Sequence, residues 1–406
     1  MIKKMRTYRA LPKLAHRLKL LDVLADAYGR RFHKQRKRTQ GNVGQPRLLL
    51  MTSGHLGDAL TLSYLFPLIR QQFPTCVIDV VAGAWCDPIL AGNPYIRRLI
   101  HLNHSRSNRS ADTKLAKWKD YFLTTWKAIA RLTTETYTTS VDIRFVDSTM
   151  HFLLPFIQVN WAVGYGSRGL GGLLDKELTL PDDEFHHLTA ILNLLGAIGV
   201  EADLRDVRPY FDFPAKARQT LLTTLPLLLN NSRPIVLLCP ESGSNSRFLP
   251  DTFWREMAGH LLATTDSVLI GCGQMPQTTR LLADIAQDNP TTHGRIHNTV
   301  GQLSLSELAA LSEHASVALT LESLPAHLCS VFCPVISFFY EGTGLQFFPL
   351  STYPVLVFHN HLPSRDLTLD RPGFVSSYVG QFDGTVIEQA VQAVQVIQAA
   401  TVNKVW

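Results

Sequence analysis

The stretch "RLLLMTSGHLGDALTLSYLFPLIR", residues 47–70, changes its period halfway along. Leu48 to Met51 form an unbroken apolar run, the pattern of a parallel strand buried on both faces. Beyond the loop "TSGHLGD", apolar residues recur at helical intervals, which predicts one helix through "DALTLSYLFPLIRQQFP". Gly54 and Gly57 punctuate the connection, because glycine accepts positive φ or lets a ligand or neighbouring backbone come close. Asp58 then stands near the start of the helix, where two roles are open. It can cap orphan amides and face the positive end of the helix dipole, or it can present a carboxylate outside the end of the strand.

The same alternation continues down the chain. "CVIDVVAG" and "RRLIHLN" read as strands, with "CDPILAGNPYI" a short helix and turn between them. A long helix reaches about residue 132, and "TSVDIRF" follows as a strand. The next segment, from "VNWAVGYGSRGLGG" to "LLGAIGV", offers a glycine-rich loop, a strand and a helix. After the proline-punctuated stretch "RPYFDFPAKARQTLLTTLPLLLNNSRP" the pattern restarts. "IVLLCP", "SVLIGCG", "SVALTLE" and "PVISFFY" read as strands, and "PDTFWREMAGHLLATT", "PQTTRLLADIAQ", "LSLSELAALSEHA" and "PAHLCSVF" as helices. These readings predict an α/β chain with two Rossmann-like, doubly wound domains. The expected divisions are an arm over 1–46, domains over 47–215 and 216–385, and a closing helix over 386–406. Ligands of open parallel sheets gather outside the carboxyl ends of the strands, so a cleft between the halves is the expected site.

Bulk properties agree with a folded chain of two domains. The length is 406 residues with 46% hydrophobic and 18% charged residues, which excludes a disordered or collagen-like protein. The net charge of +6 conceals an asymmetry: residues 1–47 hold 14 Lys and Arg against Asp22 and Asp26 alone. Within this arm Leu11, Leu14, Leu18, Leu21 and Leu24 share one helical face beside basic residues, a pattern suited to an anionic membrane surface. Packing of that face on the chain's own domain is the alternative. No aromatic platform accompanies the cations, so no nucleic acid is expected as a partner. The sequence has neither a long uninterrupted apolar span nor a signal-peptide core, so the expected location is the cytoplasm, peripheral to the inner membrane.

Six scattered cysteines without a C-x-x-C pair read as buried thiols. His101/His104 and His359/His361 lack further ligands nearby and read as surface histidines, so no metal site is expected. The loops contain neither a G-x-G-x-x-G nor a P-loop signature, which removes support for a dinucleotide cofactor or an NTPase. Two further loops carry chemistry. "CPESGSNSRFLP" offers Ser242, Gly243, Ser244 and Arg247 for a phosphate, or is a solvated turn. "LTLESLPAHL" sets Glu322 and Ser323 at a strand end and His327 just beyond Pro325, with Ser323 as an anion contact or an ordinary cap.

In their order and spacing these three stretches resemble the ADP-heptose:lipopolysaccharide heptosyltransferases, inverting glycosyltransferases of the GT-B fold. The likeness runs from about residue 47 to 350 and includes "AGNPYIRRLI" and "GQLSLSELAALSEHASVALTLESLPAHL". It implies that Asp58 is the general base and that Arg247 lies at or beside a donor-phosphate lysine. It also places Glu322, Ser323 and His327 on the family's "D-S/T-G-x-x-H" positions. The implied donor is a nucleotide-diphospho-sugar, ADP-heptose, and the implied acceptor a glycan or lipid-linked core, with no metal or cofactor required. Transfer of another sugar, a protein acceptor, and a silent sugar-nucleotide-binding scaffold are the alternatives. This chain departs from the pattern with Glu322 for aspartate, Leu324 for glycine, Cys239 for histidine and Glu241 for glycine. A carboxylate at 241 would repel a pyrophosphate unless turned away.

Overall fold

The computed structural model describes residues 18–19, 21–29, 45–146, 149–181, 184–340, 344–361, 369 and 371–402. Two compact units divide the chain, Met1–Val207 and Arg208–Trp406. The first contains β1 (Arg47–Met51), β2 (Val77–Ala82), β3 (Ile96–His101), β4 (Thr136–Asp142), β5 (Gln158–Tyr165) and β6 (Lys176–Leu178). They form one parallel sheet in the order β3-β2-β1-β4-β5-β6. Leu49 of β1 lies beside Asp79 of β2 and Ser140 of β4.

The second unit repeats this winding. Its strands are β7 (Ile235–Cys239), β8 (Val268–Gly271), β9 (Ile296–Asn298), β10 (Val317–Leu321), β11 (Val335–Phe339), β12 (Val355–His359) and β13 (Phe374–Tyr378). The order β13-β12-β11-β10-β7-β8-β9 again places the first strand between the second and the fourth. β7, β10 and β11 are buried along their whole length, as their unbroken apolar sequences require. Each sheet therefore reverses direction next to its first strand, between β1 and β4 and between β7 and β10. Such switch points leave a crevice at the carboxyl edge of an open sheet.

Helices cover the sheets with the expected apolar faces. In the second unit Phe338 meets Phe253, Trp254 and Phe358 at ring-centroid distances of 5.1, 5.7 and 5.8 Å. The last helix, Gly384–Val402, adds Val386, Ile387, Ala390 and Val394 to this core. The first core joins Leu49, Met51 and Tyr137 to Leu153, Ala128 and Leu132. Asp79, buried within β2, keeps its charge because Arg97 binds both its oxygens, at 3.0 and 2.6 Å, and Tyr137 donates at 2.8 Å. Burial pushes its carboxyl up, and these partners outweigh burial and hold it below the usual range.

Several expectations need correction. The single helix predicted after Asp58 is two, Leu56–Ser63 and Phe66–Gln72, because Pro67 has no N–H to continue the first. The segment from "VNWAVG" supplies β5 ahead of the glycines as well as the expected strand beyond them, β6, and the second sheet gains β9, β12 and β13. His359 is no surface residue: it is buried at the end of β12 near the rings of Phe348 and Tyr378. Most of the arm over 1–46 lies outside the described residues. Where it is described, residues 21–29 are helical, but Asp22 and Ala25 are buried while Leu21 and Leu24 are exposed. The packed face is the one with the small side chain, which fits where Gly172 leaves no Cβ to meet the backbone of Ala25 and Asp26. No helix among the described residues is long and apolar enough to cross a membrane.

Candidate functional site

In the first unit the loop after β1 and the loop after β4 meet at the switch point. Thr52 extends the β1 ladder by donating its N–H to Val81 O (2.9 Å), and its hydroxyl accepts from Gly54 N (3.0 Å). The chain then turns into the helix with His55 as its N-cap. Asp58 is the third helical residue, and its Oδ2 accepts from His55 N at 2.8 Å, the returning half of a capping box. Its Oδ1 accepts from Arg144 Nη1 at 2.8 Å. The cap expected of Asp58 is present, and 18% of its side chain remains exposed.

Gly54 has a specific reason here. A Cβ at that position would stand 2.6 Å from Asp58 Cβ and 2.8 Å from its Oδ2. Close approach is what the residue supplies, and neither Gly54 nor Gly57 has positive φ. Trp85 fixes the same turn by donating Nε1–H to Gly54 O at 2.8 Å. Cys86, buried beside it, has its thiol pushed up to about 12 by burial and by the nearby Asp58 and Asp87 carboxylates, so it stays protonated.

Arg144 is held in turn by Asp142, the last residue of β4. Asp142 Oδ1 accepts from Arg144 N at 3.1 Å, and Oδ2 accepts from Met150 N at 2.6 Å with His151 Nε2 3.2 Å away. The two carboxyls are driven in opposite directions. Burial pushes Asp142 up beyond what its partners recover. Burial also pushes Asp58 up, but Arg144, the His55 amide and the positive fields of His187 and His55 overcome it and hold Asp58 below its ordinary value. Asp58 is thus an ionised acceptor at neutral pH. His187, at the start of the helix His187–Gly196, reaches this cluster through a 2.8 Å contact of Nε2 with Thr61 Oγ1.

The second unit assembles its own loops at the switch point between β7 and β10. Ser242 donates its hydroxyl to Glu322 O at 3.2 Å, and Arg247 Nη1 lies 3.2 Å from Glu322 Oε1. Glu322 is buried and Arg247 is part-exposed, so a guanidinium with five donors holds its carboxylate and still faces outward. Gly243 is exposed, and Ser244 and Ser246 share a 3.0 Å hydroxyl contact. Ser323 is the N-cap of the helix Leu324–Cys329, with its hydroxyl on Leu321 O at 3.4 Å and not on the helix amides. Leu324, half-buried, is the first helical residue, and His327 is buried one turn on.

Glu241 answers the concern that its charge would oppose a phosphate. Its carboxylate turns onto the start of the neighbouring helix Pro276–Asp288, accepting from Gln274 N (2.8 Å), Met275 N (2.8 Å) and Thr278 Oγ1 (2.6 Å). A Cβ on Gly273 would overlap Glu241 Oε1, so glycine there makes the cap possible. Glu241→Ala is expected to cost about 1–2 kcal/mol of stability, as loss of a helix cap does, with little change in donor KM. Thermal melts and donor titrations check both halves of that expectation.

The structure thus brings Ser242, Arg247, Glu322 and Ser323 to one switch point and Gly54, Gly57 and Asp58 to the other. Sequence reasoning missed Arg144, Asp142 and His187. The signal for the first two was a pair of opposite charges at the carboxyl end of "TSVDIRF". No group of three His, Cys, Asp or Glu among the described residues is arranged to hold a metal ion.

Comparison with known proteins follows the same lines. The family model described as Glycosyltransferase family 9 (heptosyltransferase) matches residues 129–366. Lipooligosaccharide heptosyltransferase 2 of Haemophilus influenzae is 34% identical over 55 residues, which are 14% of this chain and 16% of that protein's length. The family 9 glycosyl transferase of Veillonella parvula superposes with a TM-score of 0.66 at 14% identity, covering 88% of this chain and 98% of the other. Escherichia coli heptosyltransferase WaaC, solved with ADP, gives 0.62 at 13% identity over 86% and 99%. These two likenesses establish the two-domain GT-B architecture.

Proposed function

The chain belongs to glycosyltransferase family 9, the heptosyltransferase family, and on that premise we propose that it transfers heptose from ADP-heptose to a lipopolysaccharide-core or related glycan acceptor with inversion. The observation that carries this reading is the charge chemistry at the two switch points. One presents an ionised carboxylate, Asp58, tied to a cation. The other presents a part-exposed guanidinium, Arg247, anchored on a buried carboxylate.

In the proposed reaction an acceptor hydroxyl oxygen forms a bond to the anomeric carbon as the bond from that carbon to the diphosphate oxygen breaks. The hydroxyl proton passes to Asp58, and the bonding pair leaves with the nucleoside diphosphate. Arg247 steadies the charge that develops on the leaving group, and Ser242, Gly243, Ser244, Ser323 and His327 are the other residues assigned to the donor. Glu322 holds the guanidinium in place, and Glu241 adds no repulsion because its charge is spent on a helix end.

The basic arm, residues 1–46, fits an anionic bilayer where a lipid-linked acceptor resides. Its contribution is the salt-sensitive part of vesicle binding, and binding indifferent to salt would remove the arm from the proposal.

The test of the function is a panel of nucleotide sugars. ADP-heptose at about 100 times its Kd is expected to add about 2.7 kcal/mol to the stability of the folded chain. Arg247→Met should reduce that gain, read against the variant's own unliganded melting temperature, which falls as well because the buried Glu322 carboxylate loses the guanidinium. A larger gain with a uridine or guanosine sugar would replace the donor, and donor binding without product would replace the transferase by a binding scaffold.

A further inference from the structure

The helix Lys114–Leu132 carries more apolar surface than its fold uses. Ala128 and Leu132 pack it onto the first core with Tyr121 beside them. At 100° per residue Leu115, Trp118, Phe122 and Trp126 occupy an arc of about 80° beside the packed one, and only Ile129, at the carboxyl end of that arc, meets the core. Leu115, Phe122 and Trp126 are 81%, 64% and 75% exposed, and Trp118 and Leu123 are exposed as well. Trp118 and Phe122 lie 5.8 Å apart between centroids, so the rings at the middle of the stripe adjoin. Contiguous apolar surface of this kind marks a contact with something outside the chain.

The charges of this helix select the partner: Lys114 and Lys119 flank the stripe, and Lys117, Lys127 and Arg131 lie on the opposite, polar side. Lys114, Lys117, Lys119, Lys127 and Arg131 lie on this helix against a single acid, Asp120, which is engaged by Asn103 Nδ2 at 2.9 Å. Arg106 and Arg109, in the loop before the helix, are exposed too. Protein interfaces are poor in lysine, whereas lysine beside tryptophan suits the level of phospholipid headgroups, where the stem lies along the acyl boundary and the ammonium reaches phosphate.

We infer that the helix Lys114–Leu132 is a membrane-interface element that lies on an anionic phospholipid surface, with Leu115, Trp118, Phe122 and Trp126 inserted and the flanking Lys114 and Lys119 on the headgroups. It stands apart from the transferase reading, because its readout is lipid binding and not turnover. It differs from the basic arm in kind, since insertion of aromatic surface survives salt that screens the arm.

The full-length chain is tested against vesicles of phosphatidylethanolamine with phosphatidylglycerol in about 0.5 M salt. Trp118→Ser/Phe122→Ser/Trp126→Ser is expected to lower partitioning at least about tenfold. The conservative Trp118→Phe/Trp126→Phe should keep binding and lose most of the tryptophan quenching by brominated lipid acyl chains. The other four tryptophans, Trp85, Trp161, Trp254 and Trp406, serve as the internal reference. Unchanged partitioning of the serine variant overturns the inference, as does quenching that persists in the phenylalanine variant. A concentration-dependent dimer in sedimentation velocity that the serine substitutions dissolve would also overturn it, assigning the stripe to a second copy.

Discussion

Asp58→Asn is expected to lower kcat by about 10² to 10⁴, the span of a positioned general base, while ADP-heptose still binds. The substitution is close to isosteric and removes the acceptor of the proton. Asparagine has one carbonyl oxygen for the two donors that now divide the carboxylate between them, His55 N and Arg144 Nη1. One of those donors gives up its bond to residue 58, so a stability cost of about 1–3 kcal/mol accompanies the loss of rate. The two effects separate in measurement. Turnover at saturating donor reports the base, thermal melts report the cap, and donor titration reports the second unit. If turnover in the variant stays within a few-fold of the parent while the melting temperature falls, Asp58 is a capping residue alone and the proton goes elsewhere.

Arg144→Met should produce the next largest change, and its sign depends on pH. In the parent, the folded-state pKa of Asp58 is depressed, chiefly because Arg144 opposes the effect of burial. A depressed carboxyl stabilises the fold above its unfolded value of about 3.9, and that stability is lost as pH falls through the folded value. Without the guanidinium, burial dominates and the carboxyl moves up. At neutral pH a half-sheltered charge is left without its cation, with an expected cost of about 3 kcal/mol. The cost shrinks in acid, where Asp58 is protonated in both variants, so the two stability curves converge as pH falls. The acid limb of kcat/KM should shift upward in step. A pH-independent stability difference, or an acid limb that does not move, would mean that Arg144 acts by packing and not by charge.

Much of the fold was legible because parallel strands buried on both faces leave no ambiguity of period. "RLLLM", "IVLLC" and "VISFF" have nowhere to be except the middle of a sheet. β9 escaped because three residues are too few to show a pattern, and edge strands bury less; β5 escaped because its sequence runs straight into the glycines that read as a loop. Pro67 was visible as a break, but the helical spacing on either side of it concealed two helices as one. The candidate site was half legible. Asp58, Ser242 and Arg247 follow strands directly, where loop chemistry is expected. Arg144 belongs to the same site only through the winding that puts β4 beside β1, and no local spacing encodes that adjacency. Glu241 misled for the same reason, since its partners at 274–278 belong to the next strand-helix connection.

Glu241 and Gly273 also constrain the path by which this chain can diverge. The carboxylate fits only because position 273 carries no methyl, so an alanine arriving there first would evict it from the helix end. Loss of the carboxylate first forfeits a cap and leaves the glycine free to drift. Divergence at this pair is therefore ordered, and once both positions have changed, restoring the original couple requires the glycine to return before the glutamate.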